Sequence, residues 1–155
     1  MPEQWNNRHS VREKCFMTAD ESIASQVRAW VQKAEHDLMN ASHTLKLGRK
    51  CPTETVAFHA QQCAEKYIKA LLVWRKKTFP RTHDIALLME LLPAGCRVFL
   101  ESEWQELLTD YAVTTRYPGD DEPITLAQAR QAVNITRRIR KQIRELLPQE
   151  ALRKL

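Results

Sequence analysis

The residues with the clearest chemical potential lie in the short stretch 116–121. Pro118 and Gly119 predict a rigid, exposed turn that presents the Arg116 guanidinium beside an aromatic ring and two carboxylates. A guanidinium suits phosphate recognition because it can donate two parallel hydrogen bonds to a pair of oxygens. The same residues could instead form an internal ion pair between Arg116 and an aspartate, which would only stiffen the loop. Both interpretations stay open at this point.

The second candidate surface is the basic C-terminal segment. Residues 126–155 hold eight bases and two acids, whereas the rest of the chain is close to neutral. At about 100° per residue, the bases of this predicted helix lie opposite its apolar stripe: Arg130, Arg137, Lys141 and Arg144. Such a face can bind the phosphates of a nucleotide or RNA. A solvated face that keeps the protein soluble is the more common explanation of this pattern.

Histidine chemistry is limited to a few positions. His83 precedes Asp84 at the predicted start of a helix, where a carboxylate could orient the imidazole as a base. The more common explanation is an N-cap by Thr82 or Asp84, with His83 as a bystander. On the second helix, His59 and Lys66 share or border one polar face with Gln62, which predicts a cleft lining or a helix interface.

The sequence contains no pattern for a metal ion or a cofactor, and we expect neither. The four cysteines form no C-x-x-C pair and no zinc spacing. Without a disulfide framework or a secretory signal, a reducing cytoplasm is the expected location. The longest apolar runs are far shorter than the roughly 20 residues that a membrane helix needs.

Helices must position these residues. The chain of 155 residues has only three glycines, and no segment alternates apolar and polar residues long enough for a strand. Thr18 with Glu21 and Thr125 with Gln128 are capping boxes that mark helix starts. The pattern predicts an all-α, antiparallel bundle of four to five helices that begin near residues 19, 53, 85, 102 and 126. We expect residues 1–16 to be a weakly ordered extension and residues 17–155 to form one domain.

Several strings occur together in a specific order. The first helix reads WVQKAEHDL (30–38), the second reads FHAQQCAEKYIKALL (58–72), and THD (82–84), TRYP (115–118) and the basic last helix follow. In this order they resemble the HEPN domain (higher eukaryotes and prokaryotes nucleotide-binding) in its small stand-alone prokaryotic form. The resemblance covers residues from about 22 to 147.

The resemblance implies a helical bundle that forms homodimers, with a minimal nucleotidyltransferase as a frequent partner in a toxin–antitoxin pair. It also implies a link to metal-independent ribonucleases, whose signature is an arginine followed, after four to six residues, by a histidine. Arg116 stands where that arginine is expected. The positions for the histidine hold Asp121, Glu122 and Pro123, and no histidine follows His83. The standard ribonuclease signature is therefore absent.

We therefore predict a dimeric protein that binds a nucleotide or RNA and acts with a nucleotidyltransferase partner. The predicted binding residues are Arg116, Tyr117, Asp120, Asp121, Lys66, Arg137 and Lys141. One alternative is a ribonuclease toxin in which Arg116 and His83 come together in space as catalytic residues. Another is a non-catalytic interaction scaffold without a ligand.

Overall fold

A computed structural model describes residues 18–119 and 122–153, so the predicted extension over residues 1–16 lies outside the described residues. The described chain is helical and contains no strand, which confirms the all-α expectation. Its helices are α1 (Ala19–Leu45), α2 (Thr53–Trp74), α3 (Ile85–Glu90), α4 (Ser102–Thr114), α5 (Leu126–Leu146) and α6 (Gln149–Leu152). None of these helices is long and apolar enough to cross a membrane.

Helix starts follow the local capping signals. The capping box of Thr18 opens α1 and that of Thr125 opens α5, each with both reciprocal hydrogen bonds formed. Asp84, not Thr82, is the N-cap of α3, where its side chain accepts a hydrogen bond from the Leu87 amide. Helix α1 ends at Leu45, and a 3₁₀ turn over Gly48–Lys50 follows. Gly48 adopts a left-handed conformation (φ +57°), which glycine tolerates because it has no Cβ.

The central element is α2, which packs against α1, α3, α4 and α5. Its largest fully buried side chains are Tyr67, Ile68, Leu71 and Leu72. The hydroxyl of Thr136 in α5 donates a 2.9 Å hydrogen bond to the Ala60 carbonyl, which ties the two helices at mid-length. Because α2 is covered on several sides, polar side chains on its flanks meet partners from α1 and from the segment before α3.

A sixth helix, α6, extends the predicted set of elements. It is a single turn after Pro148 that packs against α1 and buries Ala151. The Arg28 guanidinium of α1 donates a 2.7 Å hydrogen bond to the Glu150 carbonyl and holds the turn in place. Four residues are too few to show helical periodicity, so the sequence pattern did not indicate this element.

Candidate functional site

Arg116 lies just beyond the C-terminus of α4 and lines an open cleft of about 330 Å³. Tyr117 and Pro118 line the cleft beside it, and Glu54 of α2 faces them. The guanidinium carbon lies 5.1 Å from the centre of the Phe58 ring, within the range of a cation–π contact. Among the described carboxylates, none lies within 4 Å of this guanidinium. Arg116 is therefore anchored to α2 by an aromatic ring, and the residue is exposed.

The charge of this cleft is mixed. Its described lining contains one base, Arg116, and two acids, Glu54 and Glu122. Asp120 and Asp121 lie outside the described residues, so their predicted part in binding, and an ion pair with Arg116, stay predictions. Tyr117 is 70% exposed. The cleft thus offers a single guanidinium for a phosphate and one aromatic face for stacking.

A histidine lies next to the residue that anchors Arg116. The His59 ring meets the Phe58 ring edge to face, with centres 5.5 Å apart. Its Nδ1 lies 2.8 Å from one carboxylate oxygen of Asp37 in α1, and Lys66 donates a hydrogen bond to the other oxygen. Asp37 is only 8% exposed. A carboxylate that engages Nδ1 fixes the ring orientation and leaves Nε2 as the nitrogen that can exchange a proton.

His83 belongs to a different cluster, centred on Glu65 of α2. The Glu65 carboxylate, 3% exposed, accepts hydrogen bonds from Lys69 Nζ (2.6 Å), Gln61 Nε2 (2.7 Å) and His83 Nδ1 (2.9 Å). Burial opposes the charge on Glu65, but the hydrogen bonds from Lys69, His83 and Gln61 outweigh it and hold the pKa below its ordinary value. His83 therefore contacts a buried carboxylate at the edge of the core.

The structure does not bring His83 into the cleft of Arg116. Their contact points on α2, Glu65 and Phe58, are seven residues apart, which corresponds to about 10 Å along a helix. His59 follows Phe58, the residue that Arg116 contacts, but it does not line the Arg116 cleft either. Its helix face was evident from the sequence, but its acidic partner was not, because that choice depends on how α1 packs against α2.

The other predicted binding residues are spread over separate parts of the surface. Lys66 forms an ion pair with Asp37. Arg137 is exposed and donates a 3.1 Å hydrogen bond to the Ser42 hydroxyl of α1. Lys141 is exposed in a shallow groove beside the segment that precedes α4. None of the three lines the cleft of Arg116.

A further cluster of charged residues joins α1, α2 and α5. Glu35 of α1 accepts hydrogen bonds from Arg140 and from the Tyr67 hydroxyl, and Arg144 donates to that hydroxyl over 3.3 Å. The sequence pattern places Arg144 on the solvent face, but the residue is partly buried because it lies against Tyr67 of α2 and Glu35 of α1. Burial opposes the charge on Glu35, but the hydrogen bonds from Arg140 and Tyr67 hold its pKa below its ordinary value.

The acids of these clusters are matched with bases and not with one another. Asp37, Glu65 and Glu35 each contact at least one lysine or arginine. Over residues 18–119 and 122–153, no group of three or more His, Cys, Asp or Glu side chains could hold a metal ion.

Comparison with known proteins assigns the family. The HEPN domain profile matches residues 27–146, and the chain belongs to the HEPN domain family. The crystal structure of TT1696 from Thermus thermophilus is similar, with a TM-score of 0.70 and 29% sequence identity over 79% of this chain and 98% of that chain. No curated protein sequence matches. Family membership supports a function related to nucleotides or RNA in general.

Proposed function

We propose that this protein is a homodimer that binds a nucleotide or RNA at the Arg116 cleft and acts with a minimal nucleotidyltransferase, as in a toxin–antitoxin pair. The observation that carries the binding site is the exposed Arg116 guanidinium, seated over Phe58 at an open cleft beside Tyr117. Arg116 holds a phosphate through paired hydrogen bonds. Tyr117 stacks on the attached base, since every base has a flat aromatic face.

The mixed charge of the cleft limits how many phosphates it holds. One base stands beside Glu54 and Glu122, so we expect a single phosphate contact at this cleft. Each phosphate that a protein neutralises on a single strand contributes about −0.7 to the slope of log Kobs against log salt concentration. A slope near that value indicates Arg116 alone, whereas a slope two to three times steeper indicates that Arg137 and Lys141 also contact the strand.

The binding test uses fluorescence anisotropy with a labelled short single-stranded RNA and a labelled mononucleotide. Arg116→Gln removes a charge-assisted hydrogen bond, commonly about 1.5–3 kcal/mol, and should weaken binding roughly ten- to a hundredfold. Arg97→Gln is the matched control, because it removes the same charge from another exposed position. Equal affinities of wild type and Arg116→Gln would contradict the proposed site.

The homodimer and the nucleotidyltransferase partner rest on the family resemblance. Sedimentation equilibrium should give twice the chain mass of 18.1 kDa. Co-expression with a minimal nucleotidyltransferase encoded beside the gene should yield a complex that survives size-exclusion chromatography. A monomer at micromolar concentration would contradict the dimer, and separate elution of the two chains would contradict the partnership.

A second candidate function is metal-independent RNA cleavage, favoured by the Asp37 carboxylate that orients His59, the residue that follows Phe58 beneath Arg116. In this hypothesis Nε2 of His59 removes the proton from a ribose 2′-hydroxyl, whose oxygen attacks the adjacent phosphorus. The 5′-oxygen leaves and takes up a proton, while Arg116 stabilises the charge that develops on the phosphate oxygens. His59 thus takes the role that the sequence suggested for His83.

Cleavage of end-labelled RNA in the presence of EDTA tests this candidate. Loss of cleavage in His59→Gln and in Arg116→Gln, with cleavage retained in His83→Gln, supports the assignment of His59. If cleavage is lost in His83→Gln but retained in His59→Gln, His83 is the catalytic histidine instead. No cleavage by the wild type rules out the ribonuclease and leaves the binding function or the interaction scaffold.

A further inference from the structure

A pocket lined by four arginines lies on another side of the bundle. It has a volume of about 340 Å³ and lies between α1, α5 and α6. Arg28 comes from α1, Arg140 and Arg144 come from α5, and Arg153 follows α6. It shares no lining residue with the Arg116 cleft. The pocket is therefore a separate site, and an inference about it does not depend on the proposed function.

The described lining of this arginine pocket carries more positive than negative charge. Glu35 is the one carboxylate among its lining residues; Arg140 binds it through Nε (2.6 Å) and Nη2 (3.1 Å), and Arg144 Nη1 lies 4.0 Å away. Because the pKa of Glu35 is held below its ordinary value, this carboxylate is ionised at neutral pH. Its single charge offsets one of the four guanidinium charges and leaves an excess of three in the lining.

Two of these guanidiniums are positioned by neutral acceptors. Arg28 donates through Nε (3.3 Å) and Nη2 (2.7 Å) to the Glu150 carbonyl, and Arg144 donates to the Tyr67 hydroxyl (3.3 Å). A carbonyl or a hydroxyl orients an arginine without cancelling its charge. Each guanidinium has five N–H donors, so several donors of Arg28 and Arg144 stay available to a ligand.

Carboxylates also lie on the far side of two of the arginines. Arg28 and Arg153 line an adjoining cavity of about 450 Å³ that Asp20, Glu21 and Glu150 also line. Within the described part of the chain, none of these three carboxylates lies within 4 Å of the Arg28 or Arg153 guanidinium. Arg28 and Arg153 therefore form no ion pair with these acids, and their charges contribute to the excess in the arginine pocket.

The inner wall of the arginine pocket is apolar. Val31 and Ala151 are buried, and Leu152 is partly buried beside them. Apolar walls with a few converging polar groups are typical of small-molecule sites, and about 300–1,000 Å³ is their usual volume. The pocket has room for a small ligand with one charged end and one apolar or flat end.

We propose that the arginine pocket binds a small molecule that carries a diphosphate group. An excess of three guanidinium charges matches a diphosphate better than a single phosphate, and the planar donor fork of arginine fits pairs of phosphate oxygens. The diphosphate contacts Arg28, Arg144 and Arg153. The remainder of the molecule packs against Val31 and Leu152.

Isothermal titration calorimetry of the full chain tests this proposal, with inorganic pyrophosphate, ADP and orthophosphate as probes. In the double variant Arg28→Gln/Arg153→Gln, the affinity for pyrophosphate should fall at least tenfold. The matched control Arg97→Gln/Arg130→Gln removes two charges from exposed positions outside the pocket and should change the affinity less than twofold. Equal urea midpoints of the two double variants establish that both are folded.

Each outcome decides for or against the diphosphate site. Tighter binding of pyrophosphate and ADP than of orthophosphate, lost only in the Arg28→Gln/Arg153→Gln variant, supports it. Equal binding of all three probes, equal loss in the control, or no saturable binding at millimolar pyrophosphate overturns it. Arg116→Gln separates the two sites: it should weaken RNA binding and leave pyrophosphate binding unchanged. If Arg116→Gln alone abolishes pyrophosphate binding, the diphosphate site is wrongly placed.

Discussion

Replacing Lys69 by methionine tests the most deeply buried ion pair that the structure describes. Lys69 is 7% exposed and its partner Glu65 is 3% exposed. The ammonium nitrogen donates to Glu65 over 2.6 Å and to the Thr82 carbonyl over 2.9 Å. It also lies 5.7 Å from the centres of the Trp30 and Phe79 rings. Methionine keeps most of the apolar stem but removes the charge and all of these polar contacts.

The expected loss follows from the carboxylate that stays behind. Removing one partner of a buried ion pair typically lowers the free energy of unfolding by about 3–5 kcal/mol, because the other charge is left uncompensated. Gln61 and His83 still donate to Glu65, so we expect a loss near the lower end, about 3 kcal/mol. With a urea m-value of about 2 kcal/mol/M, the unfolding midpoint should fall by about 1.5 M.

Urea unfolding at pH 7, followed by circular dichroism, measures this loss. Lys33→Met on the exposed face of α1 is the matched control and should change stability by less than about 0.5 kcal/mol. The double variant Glu65→Gln/Lys69→Met should be more stable than Lys69→Met alone, because it removes the uncompensated charge. A loss below about 1 kcal/mol in Lys69→Met, or a double variant less stable than the single, would refute this reasoning.

Three further predictions concern the described core and its ends. The pKa values of Glu65 and Glu35 are lowered in the folded chain, so the stability that these carboxylates contribute is complete above their ordinary pKa of about 4.5 and is lost as pH falls through the folded-state values. Between pH 6 and pH 3 the urea midpoint of Glu65→Gln should therefore fall less steeply than that of the wild type, and equal slopes would contradict this. Leu71→Ala should lower the free energy of unfolding by about 2–5 kcal/mol because Leu71 is fully buried, and Thr125→Ala should lower it by about 1 kcal/mol because the N-cap of α5 is lost. Equal urea midpoints for the two variants would contradict this order. Burial raises the pKa of the Cys63 thiol, so a thiol reagent should modify it only as fast as the chain unfolds, and rapid labelling of Cys63 in native buffer, located by peptide mass, would contradict its buried position.

The helices of this protein were predictable because their signals act over one or two turns. A capping box satisfies amides within three residues, so Thr18 and Thr125 identify the starts of α1 and α5 from sequence alone. The apolar periodicity of α2 likewise identifies its buried side. The exception is α6, whose four residues make just over one turn and are too few to show a repeating apolar pattern.

The sequence by itself thus determined the helical class, the family resemblance and the exposed position of Arg116 beside a proline turn. Only the tertiary structure decided which charges meet. Glu35 and Asp37 are two residues apart on α1 and therefore face different sides of the helix. The packing of α1 against α2 and α5 brings Glu35 into contact with Arg140 and Asp37 into contact with His59. Contacts between residues 105 and 22 positions apart depend on how helices pack, which no local pattern specifies. For the same physical reason, the sequence suggested His83 as the partner of Arg116, whereas the fold places His83 against Glu65 and Arg116 over Phe58.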